Sequence, residues 1–340
     1  MSLSCSAGSL AAAEPMAGTA PLAHSWIIIE QPGPWGRQAL TDSRLDPELG
    51  AALKAASAES GTTVLLARHP DRLERGLHGA GPQGDDQHRR EPLDRTDGAV
   101  RNIWVAHTAP GDTRMRHGVT GDLSQIGSWD LAAIARGSLP PFGVSVKDST
   151  LFICTHSGRD QCCAVHGRAL LGATLDRLPG HERATVWEVS HIGGHRFAPT
   201  ALSLPSGAVY GRLGIDDVLR IREDDARRIV STLNYRGRSS FPQPLQLAEI
   251  AVRDIAGVLD RDVLDVLLVR DGRAIPVVPG GPLPDTTALQ LEVRHVDGRA
   301  WQVTVRREAL ATRRAESCGG EELDALVWRT AGVSQATRWA

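Results

Sequence analysis

Three of the chain's five cysteines and five of its twelve histidines fall between Phe152 and Phe197. They are Cys154, Cys162 and Cys163, with His156, His166, His181, His191 and His195. Soft thiolates beside imidazoles suit zinc, copper or an iron–sulfur cluster far better than magnesium or calcium. Cys154 and Cys163 are spaced Cys-x8-Cys, and His191 and His195 are spaced His-x3-His with Gly193 and Gly194 between them. Residues four apart would share a helix face, but a Gly-Gly pair disfavours a helix. A tight loop is expected instead, turning both imidazoles toward one point and letting a cofactor approach the main chain.

Two thiolates from one loop and two imidazoles from another fit a [2Fe-2S] cluster, one pair for each iron, as histidine does in Rieske centres. Neutral imidazoles in place of thiolates raise the potential. A bound imidazole can also lose its remaining proton, so reduction would couple to protonation with a slope of up to ~59 mV per pH unit. A structural zinc ion on the same four residues is the rival, although such sites usually begin with a shorter cysteine pair. In a third reading Cys163, near a helix start, has a lowered pKa and acts as a redox nucleophile, which leaves the histidine pair unexplained.

The neighbours carry plainer expectations. Cys162 reads as a small buried apolar residue that could replace Cys163. His156 is either a partner for a sulfur or an ordinary loop residue, and His166 and His181 read as solvated helix ends. Arg159, Arg168 and Arg196 read as a solvated face, with tuning of a nearby potential as the alternative. Trp187 reads as core.

The elements that must position these residues follow from periodicity. Leu151 to Thr155 is an apolar strand, Val165 to Leu178 has helical spacing, and Thr185 to Val189 is a second strand. A similar order precedes it: strand Trp26 to Glu30, helix Leu45 to Ala58, strand Thr62 to Ala67, strand Ile103 to Ala106, helix Leu123 to Ala135. Short buried strands with long crossovers suggest parallel pairing. We therefore expect two related α/β units, with no cysteine in the first. The polar run His69 to Gly98 reads as a mobile surface loop. Further on, Ile215 to Leu233 reads as an amphipathic helix, Asn234 to Pro244 as a polar link, and Leu245 to Leu259 as a helix. Leu289 to Val293 and Trp301 to Val305 alternate around Asp297-Gly298, a hairpin signal.

Residues Cys154-Thr155-His156 through Arg159-Asp160-Gln161-Cys162-Cys163, and His191-Ile192-Gly193-Gly194-His195-Arg196-Phe197-Ala198, resemble the sucrase/ferredoxin-like family. Trp35-Gly36 and Tyr235-Arg236-Gly237-Arg238 also look like its bacterial members, so the resemblance covers roughly residues 25 to 240. It implies a thioredoxin-like ferredoxin domain in which Cys154, Cys163, His191 and His195 bind one [2Fe-2S] cluster. It implies electron transfer or redox sensing, with a reductase and an acceptor that it does not identify, and leaves open whether any substrate is converted. The sucrase part of the label gains no support, because no spaced carboxylate pair on a sugar-binding scaffold is identifiable. The expected organisation is a disordered tail over 1–24 and a cluster-free α/β unit over 25–143. The ferredoxin domain then covers 144–240, and a small α+β module covers 241–340.

Bulk properties narrow the classes. The chain has 340 residues and a formal net charge of −2, without the basic excess that tracks nucleic acid. Five cysteines are too few and too odd for a disulfide scaffold, which points to a reducing cytoplasm. No apolar run approaches the ~20 residues that span a bilayer, so no membrane is expected. Cys5 reads as a free thiol in the tail and Cys318 as an isolated one.

Overall fold

The computed structural model describes residues 4–69, 100–277 and 281–336. The loop expected from His69 to Gly98 therefore lies outside the described residues from 70 onward.

The fold is mixed α/β. Strand β1 (Ser25–Glu30) runs parallel to β2 (Thr62–Arg68), and the helix Pro47–Ser60 crosses between them. That helix begins at Asp46, whose side chain accepts from the Leu49 N–H, and ends at Gly61 in the left-handed region. On the other side β1 pairs antiparallel with β3 (Arg101–His107), followed outward by β4 (Arg114–Thr120) and β5 (Val144–Val146). The second half repeats the scheme. Strand β6 (Thr150–Cys154) runs parallel to β7 (Val186–Val189) across the helix Arg168–Arg177. It then pairs antiparallel with β8 (Ala201–Leu204), followed by β9 (Ala208–Tyr210) and β10 (Tyr235–Arg238).

The two halves share one sheet. Strands β2 and β7 pair antiparallel, Ala67 opposite Val189 and Arg68 opposite Glu188, giving the order β10-β9-β8-β6-β7-β2-β1-β3-β4-β5. Strand β1 is buried on both faces, which is why it reads as an unbroken apolar run. Ile27 and Ile29 pack with Leu53 under the first crossover helix. Trp26 and Ile28 face a cluster that also holds Trp104, Phe152, Trp187 and Leu202 and so crosses the seam. At ~1.5–3 kcal/mol per fully buried large side chain, this shared layer favours folding the halves as one body. Trp187 is core, as its alternation implied.

Several expected boundaries shift for local reasons. The helix expected over Leu123 to Ala135 is two short ones, Ser124–Gly127 and Leu131–Ala135, because the Asp130 side chain starts a new turn by accepting from Ala133 N–H. The helix expected to reach Leu233 stops at Ala226, where Arg228 turns at φ +59°. The supposed polar link from Asn234 contains β10, whose four residues are all buried.

The C-terminal part is a five-stranded antiparallel sheet in the order Arg273–Pro276, Leu264–Arg270, Ala288–His295, Ala300–Ala309, Leu326–Ala336, covered by the helix Gln243–Ala256. Its central hairpin is Ala288–His295 with Ala300–Ala309, turning at Gly298. The expected disordered tail is instead placed from residue 4. A helix, Cys5–Ala11, is capped by Ser4, and Glu14 is almost fully buried. No helix among the described residues is long and apolar enough to cross a membrane.

Candidate metal centre

Parallel pairing explains where the chemistry collects. Strands β6 and β7 run side by side with Cys154 opposite Val189, so the chain leaves both at the same sheet edge. In α/β sheets that edge is the usual position of a site. Cys154 is the last residue of β6, and Cys163 opens the helix that follows, through a wide π-helical turn, Cys163–Gly167. A Cβ on Gly167 would sit 2.0 Å from the Cys154 carbonyl oxygen, so the glycine lets the helix start close against the strand end.

The second pair comes from the loop after β7. Gly193 and Gly194 adopt φ of +94° and +74°, which reverses the chain between His191 and His195. The imidazole centroids are 5.1 Å apart. His191 Nδ1 lies 4.0 Å from Cys154 Sγ and 3.8 Å from Cys163 Sγ, and these three donors lie within 4.8 Å of one another. His195 stands one ring further out, with Nδ1 at 3.3 Å from His191 Nε2. The four residues singled out from the sequence are therefore brought together, three in direct reach and the fourth behind His191.

Hydrogen bonds select the tautomers. His195 Nε2 is 2.5 Å from the Glu316 carbonyl oxygen and must donate to it. Its Nδ1 then accepts from His191 Nε2–H, which leaves the His191 Nδ1 lone pair facing both sulfurs. His156 is buried; its backbone N–H hydrogen-bonds the Cys154 sulfur, while its ring bonds elsewhere. Its Nε2–H donates to the Gly36 carbonyl at 2.8 Å, and its Nδ1 accepts the His191 backbone N–H at 3.3 Å. Trp35 meets the His156 ring edge-on. The Trp35-Gly36 segment thus fixes His156, and His156 fixes His191.

The electrostatics favour one negative charge on the cysteine pair. A hydrogen bond from Cys163 is the main cause holding the Cys154 thiol well below its usual range, and the backbone N–H of His156 adds to it. The same bond, with burial, pushes Cys163 far up. In this arrangement Cys163 is the hydrogen-bond donor and Cys154 the acceptor, which does not favour the reading of Cys163 as the thiol with the lowered pKa. Burial keeps His195 and His156 below the ordinary histidine range, so both stay neutral.

Arg236 was not recognised from the sequence as part of the site. It is fully buried, donates to the Gly193 carbonyl at 2.9 Å and to Thr19 Oγ1 at 3.1 Å, and burial pushes its pKa down to about 9. It stays cationic at neutral pH beneath the histidine loop, where the two thiol groups act to raise its pKa. A Cβ on Gly194 would lie 2.3 Å from Arg236 Nη2, so the second glycine is required by this guanidinium. Arg159 and Arg168 are exposed, as expected, whereas Arg196 pairs with the buried Glu14 at 2.8 Å. Glu14 also binds Arg314 at 2.7 Å, which locks the N-terminal segment and the C-terminal module onto the histidine loop.

The model of the sucrase/ferredoxin-like family matches residues 16–237, and the chain belongs to that family. Neither a curated protein nor a solved structure matches it.

The donor set fits a bound metal group in chemistry and in pairing: two thiols beside two imidazoles, with His191 Nδ1 turned toward both sulfurs. Soft sulfur with imidazole excludes the hard cations.

Proposed function

We propose that this is an iron–sulfur electron-transfer or redox-sensing protein, with Cys154, Cys163, His191 and His195 holding one [2Fe-2S] cluster. The observation that carries the reading is the approach of His191 Nδ1 to both thiol sulfurs, with His195 next in line. Membership of the sucrase/ferredoxin-like family supports it. So does the strand scheme of each half, a parallel pair through a helix followed by an antiparallel hairpin, which suits a thioredoxin-like unit. When bound, the cluster would supply one-electron uptake and release.

The chain's own residues set the conditions. Two neutral imidazoles in place of thiolates remove two negative charges from the donor set. The Arg236 cation offsets part of what remains, and both favour the reduced state. His195 Nε2–H, bound to the Glu316 carbonyl, is the proton best placed to leave when charge at the site changes. Beside the Gly193–Gly194 loop a cleft of about 600 Å3, lined in part by Arg196, Arg307 and Trp328, is where a partner protein would approach. The proposed partners are a reductase and an electron acceptor. The five free cysteines suit a reducing compartment such as the cytoplasm.

A mononuclear zinc ion on the same donors is the second reading, favoured by the compactness of the Cys154, Cys163 and His191 trio. Anaerobically purified protein separates the two. The cluster predicts two irons and two sulfides per chain, a brown colour, and a paramagnetic resonance signal after dithionite reduction that is altered or lost in His191→Ala. A colourless, iron-free protein whose metal leaves with Cys154→Ala would establish zinc there instead.

A further inference from the structure

The remaining three cysteines converge as well. Cys5 comes from the N-terminal helix, Cys162 from the loop before the central helix, and Cys318 from the C-terminal module. Their sulfurs are 3.5 Å apart for Cys5 and Cys162, 3.2 Å for Cys162 and Cys318, and 3.6 Å for Cys318 and Cys5. Asp160 Oδ1 lies 3.6 Å from Cys5 Sγ, and the four donors fall within 4.8 Å of one another. We propose that Cys5, Cys162, Cys318 and Asp160 form a second metal centre that binds one zinc ion.

The distances match that ion. Tetrahedral zinc with Zn–S near ~2.3 Å and Zn–O near ~2.0 Å sets sulfurs ~3.8 Å apart and sulfur and oxygen ~3.5 Å apart. A disulfide requires S–S near ~2.05 Å, far shorter than any of the three separations. The surroundings are built to hold the donors. Asp160 accepts the backbone N–H of Cys162 at 2.8 Å and of Cys318 at 2.9 Å, which aims its carboxylate at the sulfurs. Ser6 Oγ lies 3.2 Å from Cys162 Sγ. Cys5, Cys162 and Asp160 are almost fully buried, and Cys318 closes the open side. Three thiolates and a carboxylate cannot all ionise in so small a buried volume without a cation.

The two centres use different sulfurs although Cys162 and Cys163 are adjacent, and they meet where His195 Nε2 lies 3.7 Å from Asp160 Oδ2. Cys163 Sγ faces His191, whereas Cys162 Sγ faces Cys5 and Cys318. The second centre joins three distant parts of the chain and would clamp the terminal segments over the histidine loop.

The test uses the full chain, purified anaerobically from zinc-containing medium, with metals measured on wild type, Cys154→Ala and Cys318→Ser. One zinc per chain is expected in Cys154→Ala, and also in wild type when the first centre holds the proposed cluster; a zinc in the first centre would make it two in wild type. Cys318→Ser should lose zinc while keeping whatever metal the first centre holds. Wild type also offers a readout that does not depend on a variant folding: alkylation followed by peptide mass spectrometry. Cys5, Cys162 and Cys318 should be protected together and become reactive together when a zinc chelator is added. The proposal is overturned by a wild-type protein without zinc, by copper in its place, or by zinc that leaves with Cys154→Ala and stays in Cys318→Ser. Reactivity that the chelator does not change, or a Cys162–Cys318 disulfide in the anaerobic protein, overturns it equally.

Discussion

The buried guanidinium of Arg236 donates to the carbonyl oxygen of Gly193 at 2.9 Å and so holds the loop that carries both histidines. Its charge lies in a site otherwise dominated by thiols. Methionine at this position would keep much of the volume and remove the charge and the donors. The carbonyl groups of Gly193 and Thr19 would then lose their partner, at ~1–3 kcal/mol each. Arg236→Met is expected to lower the melting temperature and, where the proposed cluster is bound, to lower its reduction potential. An unchanged potential would show that the cation is structural only.

Gly194 tests the same contact from the other side. Alanine there must adopt φ near +74° and must displace Arg236, whose Nη2 a Cβ would approach to 2.3 Å. Backbone strain alone costs ~1–3 kcal/mol. Gly194→Ala should therefore destabilise the chain by more than Gly111→Ala, where φ is +75° and nothing lies near the added carbon. Equal thermal shifts in the two variants would remove the guanidinium from the account.

Cys162 and Cys163 should not be interchangeable, contrary to the expectation that one could replace the other. Their sulfurs belong to different groups of side chains, with His191 beside one and Cys5 and Cys318 beside the other. Moving Cys162 Sγ to the first site would require rewinding the helix start that Gly167 seats against Cys154. Iron and sulfide analysis should find Cys163→Ser empty and Cys162→Ser filled. A brown Cys163→Ser protein would contradict this assignment.

The candidate donors could be singled out because donor type and spacing are local properties. Cys154, Cys163, His191 and His195 could be chosen without knowing the fold, and the paired glycines announced a reversal between the histidines. The strands were equally plain wherever an apolar run is buried on both faces, as in β1. Residues that serve the site through distant contacts were not. Arg236 reads as a polar residue among arginines until β10 is buried, and Cys5 and Cys318 each look solitary because their partners lie 157 and 156 residues from them, at Cys162. The N-terminal segment looked disordered because its small residues show no periodicity. Its order depends on Glu14, whose two arginine partners lie in the histidine loop and the C-terminal module.

That dependence gives a pH prediction. Burial acts to raise the Glu14 pKa, but Arg314 and Arg196 outweigh it, and the carboxyl lies below its ordinary value of 4.5. A carboxyl depressed by folding contributes stability that is complete above the unfolded value and lost as pH falls through the folded one. Hydrogen-exchange protection factors of residues 4–24 should stay high at neutral pH and fall only below about pH 4.5. Glu14→Gln should exchange faster at neutral pH and show little further change in acid. Identical profiles would mean that the ion pairs do not hold the segment.

The last prediction concerns proton coupling at the first centre. His195 Nε2 donates to the Glu316 carbonyl, and its Nδ1 faces His191, so its exchangeable proton points away from the sulfurs. A neutral ligand that can lose such a proton makes the potential fall with rising pH, by up to ~59 mV per unit for one proton and one electron. Thiolate has no second proton to release. His195→Cys should therefore retain a cluster, lower its potential through the added negative charge, and flatten the dependence on pH. His191→Cys should lower the potential as well, but it leaves the His195 proton in place, so the remaining slope should be larger. Potentiometric titration of the three proteins between pH 6 and 10 reads both quantities. Parallel curves for wild type and His195→Cys would remove His195 from the ligand set, and with it the two-histidine assignment.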